Sequence, residues 1–171
     1  MVDRCGAKDV QANPPMKGLR VTAFLLSVHV LAAILAIGPV AVAASMYAPA
    51  VRAAAESPDD ARKAATVAVL HRITRVYSVI AIFVPVFGLA TGARLGVLGD
   101  TWLIVSMILT AIAAAVLIGL ILPGQRRLLI DLQDTATGRR LGMQTGIFNL
   151  LWAIVVVLMI YRPGSTTGAG L

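Results

Sequence analysis

Four long apolar runs dominate the sequence, at about Val21 to Met46, Val76 to Leu98, Trp102 to Leu122 and Leu141 to Tyr161. Each is near or above the ~20 residues that an α-helix needs to cross a hydrocarbon core about 30 Å thick. In lipid every backbone N–H and C=O must find its partner within the chain, and a helix meets that demand locally. The runs therefore predict four membrane-spanning helices. Composition agrees: 58% of the 171 residues are hydrophobic and only 13% charged, too little polar surface to cover a soluble globule of this size.

The connections narrow the topology. Gly99, Asp100 and Thr101 alone separate the second run from the third, and so short a link predicts an antiparallel hairpin. Between the first two runs, Ser57-Pro58-Asp59-Asp60 carries the marks of a helix start, with Ser57 as the expected N-cap, proline at the first helical position and acids at the positive end of the helix dipole. From Ala61 to Leu98 only Pro85 interrupts the pattern. That is about 38 residues, or roughly 57 Å of helix, against a core of ~30 Å. The reading is an all-α, four-helix antiparallel transmembrane bundle, with helix one and helix two extended beyond the bilayer on the cytoplasmic side. A second projecting segment is expected over Gln125 to Gln144. Pro39, Pro85 and Pro123 lie within or at the end of spans and predict three bent helices. Residues 1–18, with Pro14-Pro15 and the lone Cys5, read as a disordered tail, residues 19–162 as the transmembrane domain and residues 163–171 as a flexible C-terminal tail. A cleavable signal is not expected ahead of the first run.

The formal charge is +7, but its carriers sit in short segments between apolar runs rather than on one compact face, which excludes nucleic acid and favours anionic lipid headgroups. Arg52, Arg62, Lys63, Arg72 and Arg75 flank one link, and Arg126, Arg127, Arg139 and Arg140 flank another. These nine stand against six on the other side: Arg4, Lys8, Lys17, Arg20, Arg94 and Arg162. The positive-inside rule then predicts both basic links in the cytoplasm and both termini outside. His71, Arg72, Arg75, Arg126 and Arg127 are the expected contacts with lipid headgroups.

His29 is the ionisable residue deep in the first run, and stepping by three and four from it meets Ala32, Ala33, Ala36, Val40, Ala43 and Ala44. Such a stripe of small residues lets another helix approach closely, so His29 is expected to face protein. It is the candidate cofactor ligand, either an axial ligand to haem or a ligand to copper, with a hydrogen-bonded structural histidine as the alternative. His71, at the edge of the second run, lies at a different depth from His29, which argues against a haem shared between them. Gly88, Gly92 and Gly96 recur every four residues and form the expected helix-packing face, against this chain or another subunit. Arg94 is expected to pair with Asp100 or to reach toward the interface. Asn149 is expected to bond to a neighbouring helix, and Trp102 and Tyr161 to join an aromatic belt. No span contains Asp or Glu, and neither a phosphate-binding glycine loop nor a hydrolase or metalloprotease motif occurs. Ion-driven transport and intramembrane hydrolysis are disfavoured, and no catalytic residue or resident metal is expected.

The stretch from His29 to Gly38 resembles the first-helix signature of predicted bacterial four-helix integral membrane proteins of unknown function, distantly similar to the copper-resistance protein D group. His29 and Gly38 match its histidine and glycine; Ala36 stands where a tryptophan is common and Pro39 where a second glycine is usual. The resemblance implies a multi-pass protein of the bacterial cell membrane. The function expected is that of a non-enzymatic structural or accessory subunit, docking as a homo-oligomer or to a larger membrane complex. The alternative is a redox or metal-handling protein that binds haem b or copper through His29, with Met46, Met107 or Met159 as soft partners.

Overall fold

The computed structural model describes residues 16–164, which are helical except for short links. The elements are α1 (Met16–Ala55), α2 (Ala61–Ile80), α3 (Phe83–Leu95), α4 (Thr101–Val116), a π-helical turn (Leu117–Ile121), α5 (Leu122–Ile130) and α6 (Thr135–Tyr161). Together they make four rods, Gly18–Ala55, Ala61–Leu95, Thr101–Ile130 and Thr135–Tyr161, each long and apolar enough to cross a membrane. Helix α1 begins at Met16, inside the expected tail; residues 1–15, with Cys5, and residues 165–171 lie outside the described part of the chain.

The prolines act unequally. Helix α1 runs unbroken through both Pro39 and Pro49. The second rod, expected to be continuous, breaks at residues 81–82. A proline offers no N–H and its ring crowds the carbonyl four residues earlier, which for Pro85 is that of Ala81. That carbonyl instead accepts the tighter bond from the Val84 N–H, at 3.1 Å. Pro123 crowds the carbonyl of Gly119 in the same way, and there the chain widens into the π-helical turn, where the Leu122 N–H reaches back to the Leu117 carbonyl.

The helix starts also depart from expectation in one place. Asp60, not Ser57, caps α2: its carboxylate accepts from the Arg62 N–H at 3.0 Å. Ser57 closes a turn, its carbonyl accepting from the Asp60 N–H at 3.1 Å and its hydroxyl from the Lys63 ammonium at 2.8 Å. Once Pro58 sits in that turn, the last acid before the helix is the one with oxygens aimed at free N–H groups. At the other end of the rod, Gly96 adopts φ +70° and closes α3, with the Val97 N–H returning to the Gly92 carbonyl at 3.1 Å.

The first rod is central. Helix α1 packs against α2, α3 and α6, while α4 lies on α6, and α5 meets both α2 and α6. Its inward face carries Ala36, Val40, Ala43, Ala44, Tyr47 and Val51, all buried, and so realises the small-residue stripe. Val67, Leu70, Ala113, Leu117, Ile121, Leu128, Leu141 and Phe148 complete the core. The bulky apolar side chains mostly point the other way, with Phe24, Ile34, Leu35, Val79, Ile118, Leu150 and Ile160 all exposed. That arrangement reverses the habit of a water-soluble bundle.

Helix α6 starts at Asp134, whose carboxylate accepts both from the Thr137 N–H, at 2.9 Å, and from the Thr137 hydroxyl. These two bonds, the hydroxyl foremost, hold its carboxyl below the usual carboxylate range. A depressed folded pKa stabilises the fold above the ordinary value near 4, and the gain disappears as pH falls through the folded value. Asp134→Ala is therefore expected to lower the thermal unfolding midpoint at pH 7, with the gap to wild type narrowing below pH ~4. Unfolding scans of both proteins across that range test this, and a gap independent of pH would refute it.

Candidate functional site

His29 is half-buried, with Nδ1 at 2.8 Å from the Val84 carbonyl oxygen. A carbonyl only accepts, so Nδ1 carries the hydrogen, which makes Nε2 the ring nitrogen available as a metal ligand. The ring lies on Gly88: a Cβ there would meet His29 Cε1 at 2.9 Å and Nδ1 at 3.2 Å. One turn of helix separates Val84 from Gly88, so the same stretch of α3 supplies the acceptor and the gap that admits the ring. His29, Thr91, Trp102, Met159 and Arg162 line one narrow cavity between the rods. Of the methionines considered as soft ligands, Met159 shares this cavity with His29, whereas Met46 and Met107 are 54% and 41% exposed.

The three glycines of the second rod do not form one continuous packing face. Gly88 admits His29, and Gly92 admits Leu103, whose Cδ2 would lie 3.0 Å from an added Cβ. Gly96 instead ends the helix, with nothing within 4 Å of its Cβ position. Its four-residue spacing suits packing and capping alike, so spacing alone did not separate the two uses. Around the same end, Asp100 accepts from Trp102 Nε1 at 3.0 Å rather than pairing with Arg94, which is exposed. Trp102 is 5% exposed and carries the Arg162 guanidinium 5.4 Å from its ring centroid. It is therefore an internal anchor, not part of an outward belt; Tyr161, 53% exposed, does face outward.

Toward the basic links lies a buried polar cluster in which His71 alone belongs to the sequence-derived candidates. Gln125 is fully buried, and its backbone carbonyl accepts from the Tyr47 hydroxyl at 2.7 Å. Its side-chain oxygen lies 3.1 Å from His71 Nδ1, and its amide donates to the Thr74 hydroxyl at 3.3 Å. Thr74 donates in turn to the Leu70 carbonyl at 3.0 Å. The cluster joins α1, α2 and α5. His71 thus turns inward toward Gln125, while Arg72, Arg75, Arg126 and Arg127 remain exposed. Tyr47 continues the α1 stripe three and four residues beyond Ala44 and Ala43, a spacing that marks it as inward-facing. Gln125 carries no such mark, because it lies in a basic segment whose helical phase is reset by the π-helical turn.

Helix α6 faces α1 through Asn149, whose amide donates to the Ser45 hydroxyl at 3.0 Å. On the same flank of the helix, one to three turns before Asn149, Gly138, Gly142 and Gly146 again recur at intervals of four, and nothing lies within 4 Å of the Cβ position of any of them. Among the described residues no three His, Cys, Asp or Glu side chains converge as a metal-binding group. Compared with protein-family models, with curated proteins and with solved structures, the chain matches none.

The His29–Gly88 contact yields a reciprocal test. Gly88→Ala is expected to destabilise the protein by about 1–3 kcal/mol, because the histidine must leave its bond to Val84. In a His29→Ala background the same substitution is expected to be close to neutral. A double-mutant cycle by thermal unfolding measures the coupling, and additive effects would mean that the ring does not occupy this gap in solution.

Proposed function

We propose that this is a multi-pass protein of the bacterial cell membrane, an antiparallel four-helix bundle that serves as a structural or accessory subunit by docking to a second copy of itself or to a larger membrane complex. The short links between successive rods support the antiparallel arrangement. So do the contacts of His29, early in α1, with α3, and of Gln133 with the last carbonyl of α1, that of Ala55, at 3.2 Å. The outward display of bulky apolar side chains supports a lipid surround. The balance of Lys and Arg supports placing both basic links in the cytoplasm and both termini outside.

The observation that carries the docking reading is the open glycine row of α6. Gly142 and Gly146 leave a shallow groove in the helix surface, beside Met143, Ile147 and Leu150, which are exposed. In lipid no hydrophobic force drives helices together, and association depends on close van der Waals approach, which rows of small residues permit. Gly88 and Gly92 already have intramolecular partners; the row on α6 has none among the described residues. Replacement of both Gly142 and Gly146 by leucine is expected to convert an oligomer, or a complex with a co-purifying partner, into a lone monomer. Light scattering of the detergent-purified protein and cross-linking in native membranes read the outcome. A wild-type protein that is already a solitary monomer would sink the proposal.

A second reading, a metal-handling protein, draws support from one feature: the Nδ1–H bond to Val84 leaves Nε2 of His29 with the lone pair that ligates metals, in the cavity that Met159 also lines. Imidazole and thioether suit copper(I), and the narrow cavity suits an ion better than a haem. Metal analysis and an absorption spectrum of the purified protein, with and without His29→Ala, test it. Stoichiometric copper lost on substitution is the expected result; a colourless, metal-free protein after loading with copper(I) would exclude it.

A further inference from the structure

A second cavity lies apart from the histidine site. It opens between α5 with its preceding π-helical turn and the first turns of α6, has a volume of about 230 Å³, and is lined by Gly119, Leu120, Pro123, Gly124, Arg127, Thr137, Arg140 and Gln144. From this groove we infer a binding site for the phosphate of an anionic phospholipid headgroup, held by Arg127 and Arg140. The inference rests on the membrane reading above.

Three features favour that ligand. First, the two arginines come from different helices and line one opening. The sequence holds two arginine pairs, Arg126-Arg127 and Arg139-Arg140, but successive residues on a helix diverge by about 100°, and only the second of each pair lines the groove. Second, neither guanidinium is engaged in an ion pair or a side-chain hydrogen bond among the described residues. The carboxylate of Asp134 feels the charge of Arg140 but spends its hydrogen bonds on the N–H and hydroxyl of Thr137. Two guanidiniums without hydrogen-bonded acceptors at one opening favour an anion between them, and a phosphate can accept from both in their fork geometry. The Gln144 amide adds a neutral donor. The Thr137 hydroxyl, already donating to Asp134, offers none.

Third, the groove is chemically layered. The arginines stand where the apolar runs of the third and fourth rods end, at the level expected for headgroups. Leu120, Pro123 and the bare backbone of Gly119 line its other side, and an added Cβ on Gly119 would meet nothing within 4 Å. A free phosphate would use only the basic rim, whereas a phospholipid uses the rim for its headgroup and the apolar wall for the start of its acyl chains. The π-helical turn contributes Gly119 and Leu120 to the lining and shifts the helical phase of the residues that follow it, Arg127 among them.

The test uses the full chain in mixed micelles and compares three proteins by native mass spectrometry: wild type, Arg127→Gln with Arg140→Gln, and the control Arg126→Gln with Arg139→Gln, each checked for unaltered helicity. Wild type and control are expected to retain phosphatidylglycerol in preference to phosphatidylcholine, and the groove variant is expected to lose that preference by about tenfold or more. Equal loss in the control, or retention by the groove variant, would overturn the site and leave diffuse surface charge as the cause. Displacement of the lipid by millimolar inorganic phosphate would reassign the groove to a soluble anion. Alkaline extraction of the native membranes separates this inference from the reading beneath it. A chain that stays in the membrane but shows no lipid preference refutes the groove alone, whereas a chain released by alkali refutes membrane insertion.

Discussion

Close approach along the inward face of α1 is the interaction on which the remainder of the bundle depends. Ala36, Val40, Ala43 and Ala44 are buried and small, so neighbouring helices reach van der Waals distance of the α1 backbone. In a lipid surround, where burying an apolar side chain against protein gains little over leaving it against acyl chains, such contact is the main source of cohesion. Under the proposed membrane reading it also accounts for the outward-facing bulky leucines and isoleucines. They suit lipid, and inside they would force the rods apart.

Polar groups then fix register at two levels of the bundle. Near the end that carries the histidine cavity, His29 binds the Val84 carbonyl in the gap left by Gly88, and Trp102 is clamped by Asp100 and Arg162. Near the basic links, Gln125 ties Tyr47, Thr74 and His71 together. Each bond has modest net worth, but breaking one in a dry interior leaves an unmatched donor or acceptor, so slippage of one rod along another is penalised at both levels. Three buried polar atoms, Thr145 Oγ1, Asn149 Oδ1 and Trp152 Nε1, have no hydrogen-bond partner among the described residues. All three lie on α6, and nothing else in the structure explains them.

The prolines show how one local chemistry has different consequences. Pro39 and Pro49 are absorbed by α1, Pro85 breaks the second rod, and Pro123 accompanies the π-helical turn. Each removes a donor and crowds a carbonyl; the outcome depends on whether the surrounding helices hold the rod straight or reward its displacement. At Pro85 the break comes just before the segment that receives His29. At Pro123 the widened turn accompanies both the Gln125 cluster and the groove between Arg127 and Arg140.

The sequence by itself determined the all-helical class, four rods of spanning length and apolarity, the short links between them and the inward stripe of α1, because run length and a 3.6-residue period are local properties. It marked His29 as inward-facing, since that residue shares the phase of the alanine stripe. Only the tertiary structure decided which glycines have partners. Gly88, Gly92 and Gly96 share a spacing with Gly138, Gly142 and Gly146, yet one set is divided between packing and a helix cap while the other stands open. Only the fold, likewise, turned His71 from its neighbouring arginines toward Gln125, and brought Arg127 and Arg140 to the lining of one cavity. Those outcomes depend on where a proline or a π-helical turn resets the helical phase and on which rod lies opposite, and neither is encoded in the spacing of residues along one helix.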